Sequence, residues 1–200
     1  MEKRQIERFF QILSRFVPGK CKVILTGAAA GSLLGSVRLS RDIDFALEFL
    51  GNKDDWEKLE EAIHKTEQLT GVPAQYAQDI SRWGMVSLLD YKKHTTLYRG
   101  FNLLEVRILE PAYWSLGKIS RFLDPDIQDM ISVFKKQKIS QDKLVTIWGR
   151  ALKSSPPSSH LFQFKRQAEE FLRVWGKSIW GQQFNFDKTV QLFYKEAGIL

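Results

Sequence analysis

The chain has 200 residues, 44% of them hydrophobic and 12% aromatic, which is enough for one folded domain, or a domain with an added lobe, around a sizeable core. It has no apolar run of about 18 residues and no apolar secretory signal at its charged amino terminus, so we expect a cytoplasmic protein. Its single cysteine, Cys21, excludes an internal disulfide and a thiolate zinc site and is predicted to be a buried, inert thiol.

The net charge of +7 is unevenly distributed along the chain. Residues 1–110 contain 16 Lys and Arg against 15 Asp and Glu, whereas residues 111–200 contain 14 against 8, a net charge of +6. A positive excess of this kind suits a polyanionic partner such as RNA or DNA. It equally suits a solubilising surface, and charge alone does not choose between the two.

The first half of the chain alternates helical and strand patterns. Apolar residues at helical spacing predict an amphipathic helix that ends before Pro18. A short buried strand over residues 22–26 follows, and Gly27 with three alanines predicts a tight turn into a second helix. A strand over residues 43–49 and a helix from residue 54 to residue 69 come next.

The pattern then changes from strands to helices. Three further strands are predicted to form an antiparallel meander, over residues 85–91, 95–98 and 102–109. From Pro111 onward the signals are helical, with predicted caps at Asp124, Ser140 and Asp187. The stretch Ser154–Ser159 contains two prolines that forbid a continuous helix, so it is predicted to link two helices.

Two acidic residues, Asp42 and Asp44, lie at the start of the second predicted strand. Alternation along a strand points both side chains to the same face, about 7 Å apart along the backbone. Paired carboxylates can hold Mg²⁺ or Mn²⁺ while substrate phosphates complete the metal shell, an arrangement suited to phosphoryl or nucleotidyl transfer. Acidic residues at strand ends are also common as solvated turn formers.

The turn at Gly27 favours the interpretation of Asp42 and Asp44 as metal ligands. Backbone N–H groups at a helix amino terminus, here from Gly27 and Ala28, form a ready site for phosphate. A phosphate site and a metal site are then predicted within one short segment.

The segment LTGAAAGSLLGSVRLSRDIDF resembles the nucleotidyltransferase superfamily, in particular the bacterial branch that contains abortive-infection toxins. In that branch a strand ends in Gly-Gly or Gly-Ser, and a helix, often an Arg and a Thr or Ser, and an Asp-x-Asp strand follow. Gly27, Arg38, Ser40, Asp42 and Asp44 match this pattern in order and spacing. The resemblance implies a nucleoside triphosphate bound by the first three residues and metal held by the two aspartates.

A second segment, PAYWSLGKISRFLDPDIQDM, is similar to the family's helix with a Lys and an Arg followed by an acidic Asp-x-x-Asp helix. The matching residues are Lys118, Arg121, Asp126 and Asp129. The resemblance implies that Lys118 contacts the nucleotide phosphates. The competing interpretation is that Lys118 and Arg121 simply form ion pairs with the two aspartates.

The resemblance covers residues 20–136 and implies an α+β fold. A nucleotidyltransferase-like mixed sheet flanked by helices is expected in residues 1–110, followed by a helical lobe packed on it in residues 111–200.

Two positions depart from the family pattern. Ala28 stands where the family has Gly or Ser, which removes a hydroxyl or the closest backbone approach to phosphate. The family's third carboxylate comes from a later strand, and the best-matching stretch has Ser87 there. Asp90 and Glu105 are the candidates to replace it, with Asp90 preferred as the third catalytic residue.

Two functions follow from this resemblance. The first is a metal-dependent transferase that moves a nucleoside monophosphate from a nucleoside triphosphate to an acceptor hydroxyl, with RNA as a candidate acceptor, in a toxin–antitoxin or defence system. The second is a catalytically degenerate module of the same fold that binds nucleotide or nucleic acid without turnover. The toxin–antitoxin analogy also implies a protein partner from a two-gene system, and no membrane partner is expected.

Overall fold

The computed structural model describes residues 1–49, 53–82, 84–88 and 90–199. These residues form eight α-helices and a five-stranded mixed sheet, which confirms the predicted α+β class. They divide into two compact units. The sheet unit comprises Met1–Leu33, Arg38–Ile80 and Lys92–Leu109, and the helical unit comprises Leu34–Val37, Ser81–Tyr91 and Glu110–Leu200.

The sheet unit is built on five strands in the order β3-β2-β1-β5-β4. β1 and β2 pair antiparallel, as do β4 and β5, whereas β2 with β3 and β1 with β5 pair parallel. The elements are α1 Lys3–Leu13, β1 Cys21–Leu25, α2 Gly27–Leu34, β2 Ile43–Phe49, α3 Lys53–Thr70, β3 Ala74–Ala77, β4 Thr95–Phe101 and β5 Leu104–Leu109.

One face of the sheet forms an aromatic core. The ring centroid of Phe45 on β2 lies 6.4 Å from that of Phe9 and 6.0 Å from that of Phe10, both on α1. Phe45 also stacks on Tyr76 of β3 at 5.8 Å. Because side chains alternate along each strand, the charged residues of β1, β2 and β5 project from the opposite face. That second face carries Asp44.

Cys21, the first residue of β1, is 4% exposed. Burial raises the pKa of its thiol to about 12. The prediction of a buried thiol is therefore confirmed, and the raised pKa agrees with the low reactivity that was expected.

The helical unit contains five helices, α4 Pro111–Arg121, α5 Asp124–Gln137, α6 Gln141–Ser154, α7 Ser159–Trp180 and α8 Phe186–Ala197. Its core is aromatic. The ring of Phe171 on α7 lies 5.9 Å from both Phe134 on α5 and Trp148 on α6. Trp148 Nε1 donates to Ser115 Oγ on α4 at 2.9 Å, so the one polar atom of this buried ring is satisfied.

The helix boundaries confirm most of the predicted signals. Ser140 caps α6 by accepting from the Lys143 amide, and the proline-containing linker joins α6 to α7. Two caps are corrected. α8 is capped by Asn185, whose side chain accepts from the Lys188 amide at 2.9 Å, and Asp187 lies in the first turn. Asp124 is the first residue of α5 rather than its cap.

The predicted strand over residues 85–91 is wrong, since none of its described residues is in a strand. Its apolar side chains Val86 and Leu88 are buried within an irregular segment of the helical unit. The amide of Ser87 donates to Ser155 Oγ at 2.7 Å, so a side-chain hydroxyl takes the place of a neighbouring strand. Burial, rather than strand pairing, explains this apolar run.

The strands themselves differ from prediction in two further ways. β3 was not predicted at all. The turn between β4 and β5 lies at Asn102, which has a left-handed φ of 50°, and not at Arg99-Gly100. No helix in the described part of the chain combines the length and the apolar character that crossing a membrane would require.

Candidate functional site

Gly27 connects β1 to α2 and lies directly beside Asp44 of β2. The Thr26 amide donates to the Asp44 main-chain carbonyl at 3.0 Å, which holds the end of β1 against the start of β2. Gly27 has a φ of 61°, a left-handed backbone that glycine adopts at little cost. A methyl carbon at Gly27 would lie 1.8 Å from Asp44 Oδ2. The lack of a side chain therefore allows this carboxylate to reach the start of α2.

This contact puts a carboxylate at the amino terminus of a helix. The first amides of an α-helix have no acceptor within the helix, and that end carries a partial positive charge. A negative charge here is stabilised by about 0.3–1 kcal/mol in exposed settings. Asp44 thus has a structural role at the start of α2, in addition to any role in binding.

Asp42 immediately precedes β2 and is oriented from two sides. Ser40, which is 3% exposed, donates its hydroxyl to the Asp42 carbonyl and also lies 3.4 Å from Asp42 Oδ1. Gln75 Nε2 donates to Asp42 Oδ2 at 3.1 Å. Ser40 therefore positions Asp42, and the nucleotide contact predicted for Ser40 would require this buried hydroxyl to change partner.

Asp42, Asp44 and Gln75 lie on one face of the sheet, and we call these three residues the acidic site. Asp44 and Gln75 are partners in the parallel register of β2 and β3, and paired residues of neighbouring strands project from the same face. The hydrogen bond from Gln75 brings Asp42 to that face. Both carboxylates are half-buried and Gln75 is exposed, so neither aspartate is in the core.

The donor set of the acidic site fits a hard divalent cation. Mg²⁺ prefers carboxylate and amide oxygens and keeps water or phosphate oxygens in the remainder of its shell. Asp42 and Asp44 supply two carboxylates, and the third side chain is the neutral amide of Gln75. Within residues 1–49, 53–82, 84–88 and 90–199, no group of three or more His, Cys, Asp and Glu side chains is arranged to hold a metal.

Gly27→Ala is expected to destabilise the chain by about 2–5 kcal/mol in urea unfolding. A left-handed backbone costs a residue with a side chain about 1–2 kcal/mol, and the collision with Asp44 adds about 1–3 kcal/mol. Gly71→Ala is the matched control, because Gly71 has a φ of 68° but no atom within 4 Å of the added carbon. Equal losses in the two variants would contradict the close approach of Asp44.

The remaining residues predicted to bind nucleotide are Ala28 and Arg38 of the sheet unit and Lys118 of the helical unit. Ala28 is the second residue of α2 and is half-buried, so the amino terminus of this helix reaches the surface. Arg38 is exposed in the loop between α2 and β2.

Lys118 lies inside the helical unit. Its Nζ donates at 2.8 Å to both Asp126 Oδ1 and Asp129 Oδ2, and all three side chains are at most 2% exposed. Arg121 donates twice to Asp126, at 2.7 and 3.1 Å, and Ser36 donates to Asp129. We call these five residues the buried ion network, after its buried centre; the Arg121 side chain is itself 57% exposed. The ion pairs considered from the sequence are present, and a phosphate contact would require the Lys118 ammonium to leave two carboxylates.

Glu105, one candidate for a third carboxylate, lies away from the acidic site. On β5 it is the register partner of Lys22, which in turn is the partner of Glu48. Glu48 is four residues from Asp44 along β2, or about 13 Å at the rise of a strand. Glu105 is therefore near the other end of the sheet.

Asp90, the preferred candidate, belongs to the helical unit and has a left-handed φ of 55°. Within that unit its negative charge affects Tyr113. Burial raises the pKa of the Tyr113 hydroxyl most, and the charges of Glu110 and Asp90 raise it further.

Gln75 is the residue of the acidic site that the sequence did not reveal. The strand beside Asp44 is β3, a four-residue strand whose two ends are alanines, and the stretch around Ser87 is not in the sheet. The sequence did contain one indication of this strand. Gly71 and Pro73 end the preceding long helix, and the polar Gln75 then alternates with the aromatic Tyr76 as in a strand.

Comparison with protein-family models, with curated proteins and with solved structures finds no match to this chain.

Proposed function

We propose that the chain binds a nucleoside triphosphate with Mg²⁺ or Mn²⁺ at the acidic site and transfers a nucleoside monophosphate to an acceptor hydroxyl. The observation that carries this proposal is the contact between the Asp44 carboxylate and Gly27 at the start of α2. A ligand for a cation and amides suited to phosphate meet at that point. The nucleotidyltransferase-like fold is part of the same proposal.

Each residue has a defined task in this scheme. Asp42 and Asp44 would hold the metal, while Ser40 and Gln75 orient Asp42 through the hydrogen bonds described above. The amides at Gly27 and Ala28 would bind phosphate oxygens. Bound metal supplies charge neutralisation on those oxygens. The acceptor oxygen would form a bond to the α-phosphorus as the bond to pyrophosphate breaks, and the hydroxyl proton would pass to solvent.

A nucleic acid is the acceptor that the charge distribution favours. Residues 111–200 carry a net charge of +6, and lysine and arginine neutralise backbone phosphates without regard to sequence. An RNA hydroxyl is therefore the first acceptor to test. A partner protein from a two-gene system remains part of the proposal as a regulator.

One observation favours a second function, a binding module without catalysis. The side chain next to Asp44 on the neighbouring strand is an amide rather than an acid. A neutral amide oxygen attracts a divalent cation less than a carboxylate does. Such a module would keep nucleotide affinity and lack turnover.

The test is label transfer from each of the four α-³²P nucleoside triphosphates to total RNA and to total protein, with magnesium and with EDTA. We expect magnesium-dependent label on RNA from the wild-type chain. A melting temperature raised by nucleotide and magnesium, without any transfer, would favour the binding module. The absence of both transfer and a thermal shift would contradict both functions.

A further inference from the structure

A second site lies on the sheet unit, at the end of the sheet away from Asp44. There the neighbouring strands β1, β2 and β5, together with Trp56 of α3, border a cleft of about 1090 Å³. This volume is close to the upper end of the range for small-molecule sites, about 300–1,000 Å³. We call it the basic cleft, for the three lysines that line it, Lys20, Lys22 and Lys92.

Two of the lysines are held by one carboxylate. Lys22 Nζ lies 2.8 Å from Glu48 Oε2, and Lys92 Nζ lies 3.2 Å from Glu48 Oε1. Burial opposes the ionisation of Glu48, but hydrogen bonds from the two lysines outweigh that effect and lower the pKa of this carboxyl. One negative charge therefore fixes two ammonium groups close together and leaves an excess of one positive charge.

Lys20 increases this excess. It is exposed on the rim of the cleft and makes no ion pair with any residue in the described part of the chain. Glu105, the other acidic residue of the lining, is paired with Arg107 at 2.9 Å and so does not offset the lysines. Counted over the lining residues that the structure describes, the cleft therefore carries about two positive charges beyond its own ion pairs.

Apart from Gln78 and Asn102, the rest of the described lining is apolar. Trp56 is half-buried beside the cleft, and Leu97 and Leu103 are 61% and 47% exposed. Large apolar side chains left open beside cations suit a ligand that has an anionic end and a flat apolar body. The flat face of an indole is the natural partner for an aromatic ring.

We propose that the basic cleft binds a small phosphate monoester that carries an aromatic group, of which a nucleoside monophosphate is an example. At pH 7 a phosphate monoester carries a charge of about −1.5 to −2, which matches the excess positive charge. Lysine binds phosphate as a compact point charge with three donors. The phosphate would contact Lys20, Lys22 and Lys92, and the aromatic ring would lie against Trp56.

This site is separate from the acidic site and does not depend on nucleotidyl transfer. It lies about 13 Å from Asp44 along the strand, and it requires no metal. EDTA therefore distinguishes the two sites, because the metal-dependent binding proposed at Asp42 and Asp44 is suppressed while the basic cleft is unaffected.

The test is calorimetric titration of the wild-type chain with AMP, adenosine and inorganic phosphate, all in EDTA. We expect AMP to bind and the two partial probes each to bind at least about tenfold more weakly, since each lacks one half of the interaction. AMP that binds no better than phosphate would overturn the aromatic half of the proposal. If AMP does not bind at millimolar concentration, the whole proposal is overturned.

Variants locate the binding. Lys20→Gln removes an exposed, unpaired charge, so we expect it to weaken AMP binding about three- to tenfold. The melting temperature should stay unchanged. Trp56→Phe should weaken the binding of AMP and have little effect on the binding of inorganic phosphate. Lys58→Gln is the matched control, because Lys58 is exposed on α3 and does not line the cleft. If neither Lys20→Gln nor Trp56→Phe changes AMP binding, the assignment to this cleft is overturned. It is also overturned if Asp44→Asn abolishes AMP binding.

Discussion

Asp44→Asn is expected to reduce magnesium-dependent nucleotide transfer by at least about 10²–10³-fold, the loss found when one electrostatic contact to a transition state is removed. The substitution keeps the shape of the side chain but removes the negative charge that would hold metal beside α2. The same charge also stabilises the start of the helix, so the free energy of unfolding should fall by about 0.3–1 kcal/mol. Initial rates of label transfer and urea unfolding measure the two effects.

Matched variants separate a metal ligand from a general charge effect. Asp42→Asn should lose transfer in the same way, whereas Asp54→Asn, an exposed carboxylate on α3, should leave it unchanged. Gln75→Glu adds a third carboxylate beside Asp44 and should tighten the binding of Mn²⁺ to the apo chain. Transfer retained in both Asp42→Asn and Asp44→Asn would show that these carboxylates are not the catalytic pair.

Lys118→Met is expected to lower the free energy of unfolding by about 3–5 kcal/mol, the usual result of removing one partner from a buried ion pair. Methionine replaces most of the side-chain volume, so the loss reports charge rather than packing. It leaves Asp126 and Asp129 buried without the ammonium they share, while Arg121 still donates to the first and Ser36 to the second. Urea unfolding followed by circular dichroism provides the measurement.

The same substitution at an exposed pair is the control. Lys143 pairs with Glu110 at 3.1 Å with half of its side chain exposed, so Lys143→Met should cost no more than about 1 kcal/mol. Adding Asp126→Asn and Asp129→Asn to Lys118→Met should recover part of the lost stability. If Lys118→Met instead leaves stability intact and weakens nucleotide binding, the phosphate contact implied by the family resemblance is the better account.

The parts of the fold that could be predicted are those with local signals. β1, the turn at Gly27 and the start of β2 were predicted because strand, glycine and helix patterns follow one another within a few residues. The same is true of Asp42 and Asp44, whose spacing alone places them two residues apart on an extended backbone. The contact between Asp44 and Gly27 then follows from the antiparallel pairing of β1 with β2, which are consecutive strands separated by α2.

The parts that could not be predicted depend on partners distant in sequence. Gln75 joins the acidic site through pairing of β3 with β2, and a strand of four residues with alanine at both ends has little pattern of its own. The run around Val86 and Leu88 has the composition of a strand, yet its apolar side chains are buried in the helical unit. An apolar composition predicts that the side chains will be buried. It does not predict whether the backbone amides will donate to a neighbouring strand or to a serine hydroxyl.

The buried ion network shows a related difficulty. Lys118 contacts residues eight and eleven positions along the chain, on a different helix, because α4 ends with a left-handed residue at Phe122 that reverses the chain. A lysine one turn before an arginine is typical of an exposed helix face. Its actual burial depends on the packing of α4 against α5, which a single sequence does not reveal.

The buried thiol of Cys21 makes the natural chain a suitable background for site-specific labelling. Maleimides react with thiolates, and a buried thiol with a pKa of about 12 offers almost none at neutral pH. A cysteine introduced at the exposed Leu39, in the loop before Asp42, would therefore take up a fluorophore alone, with the native residue left in place. The environment of the acidic site could then be followed optically as nucleotide and metal are added.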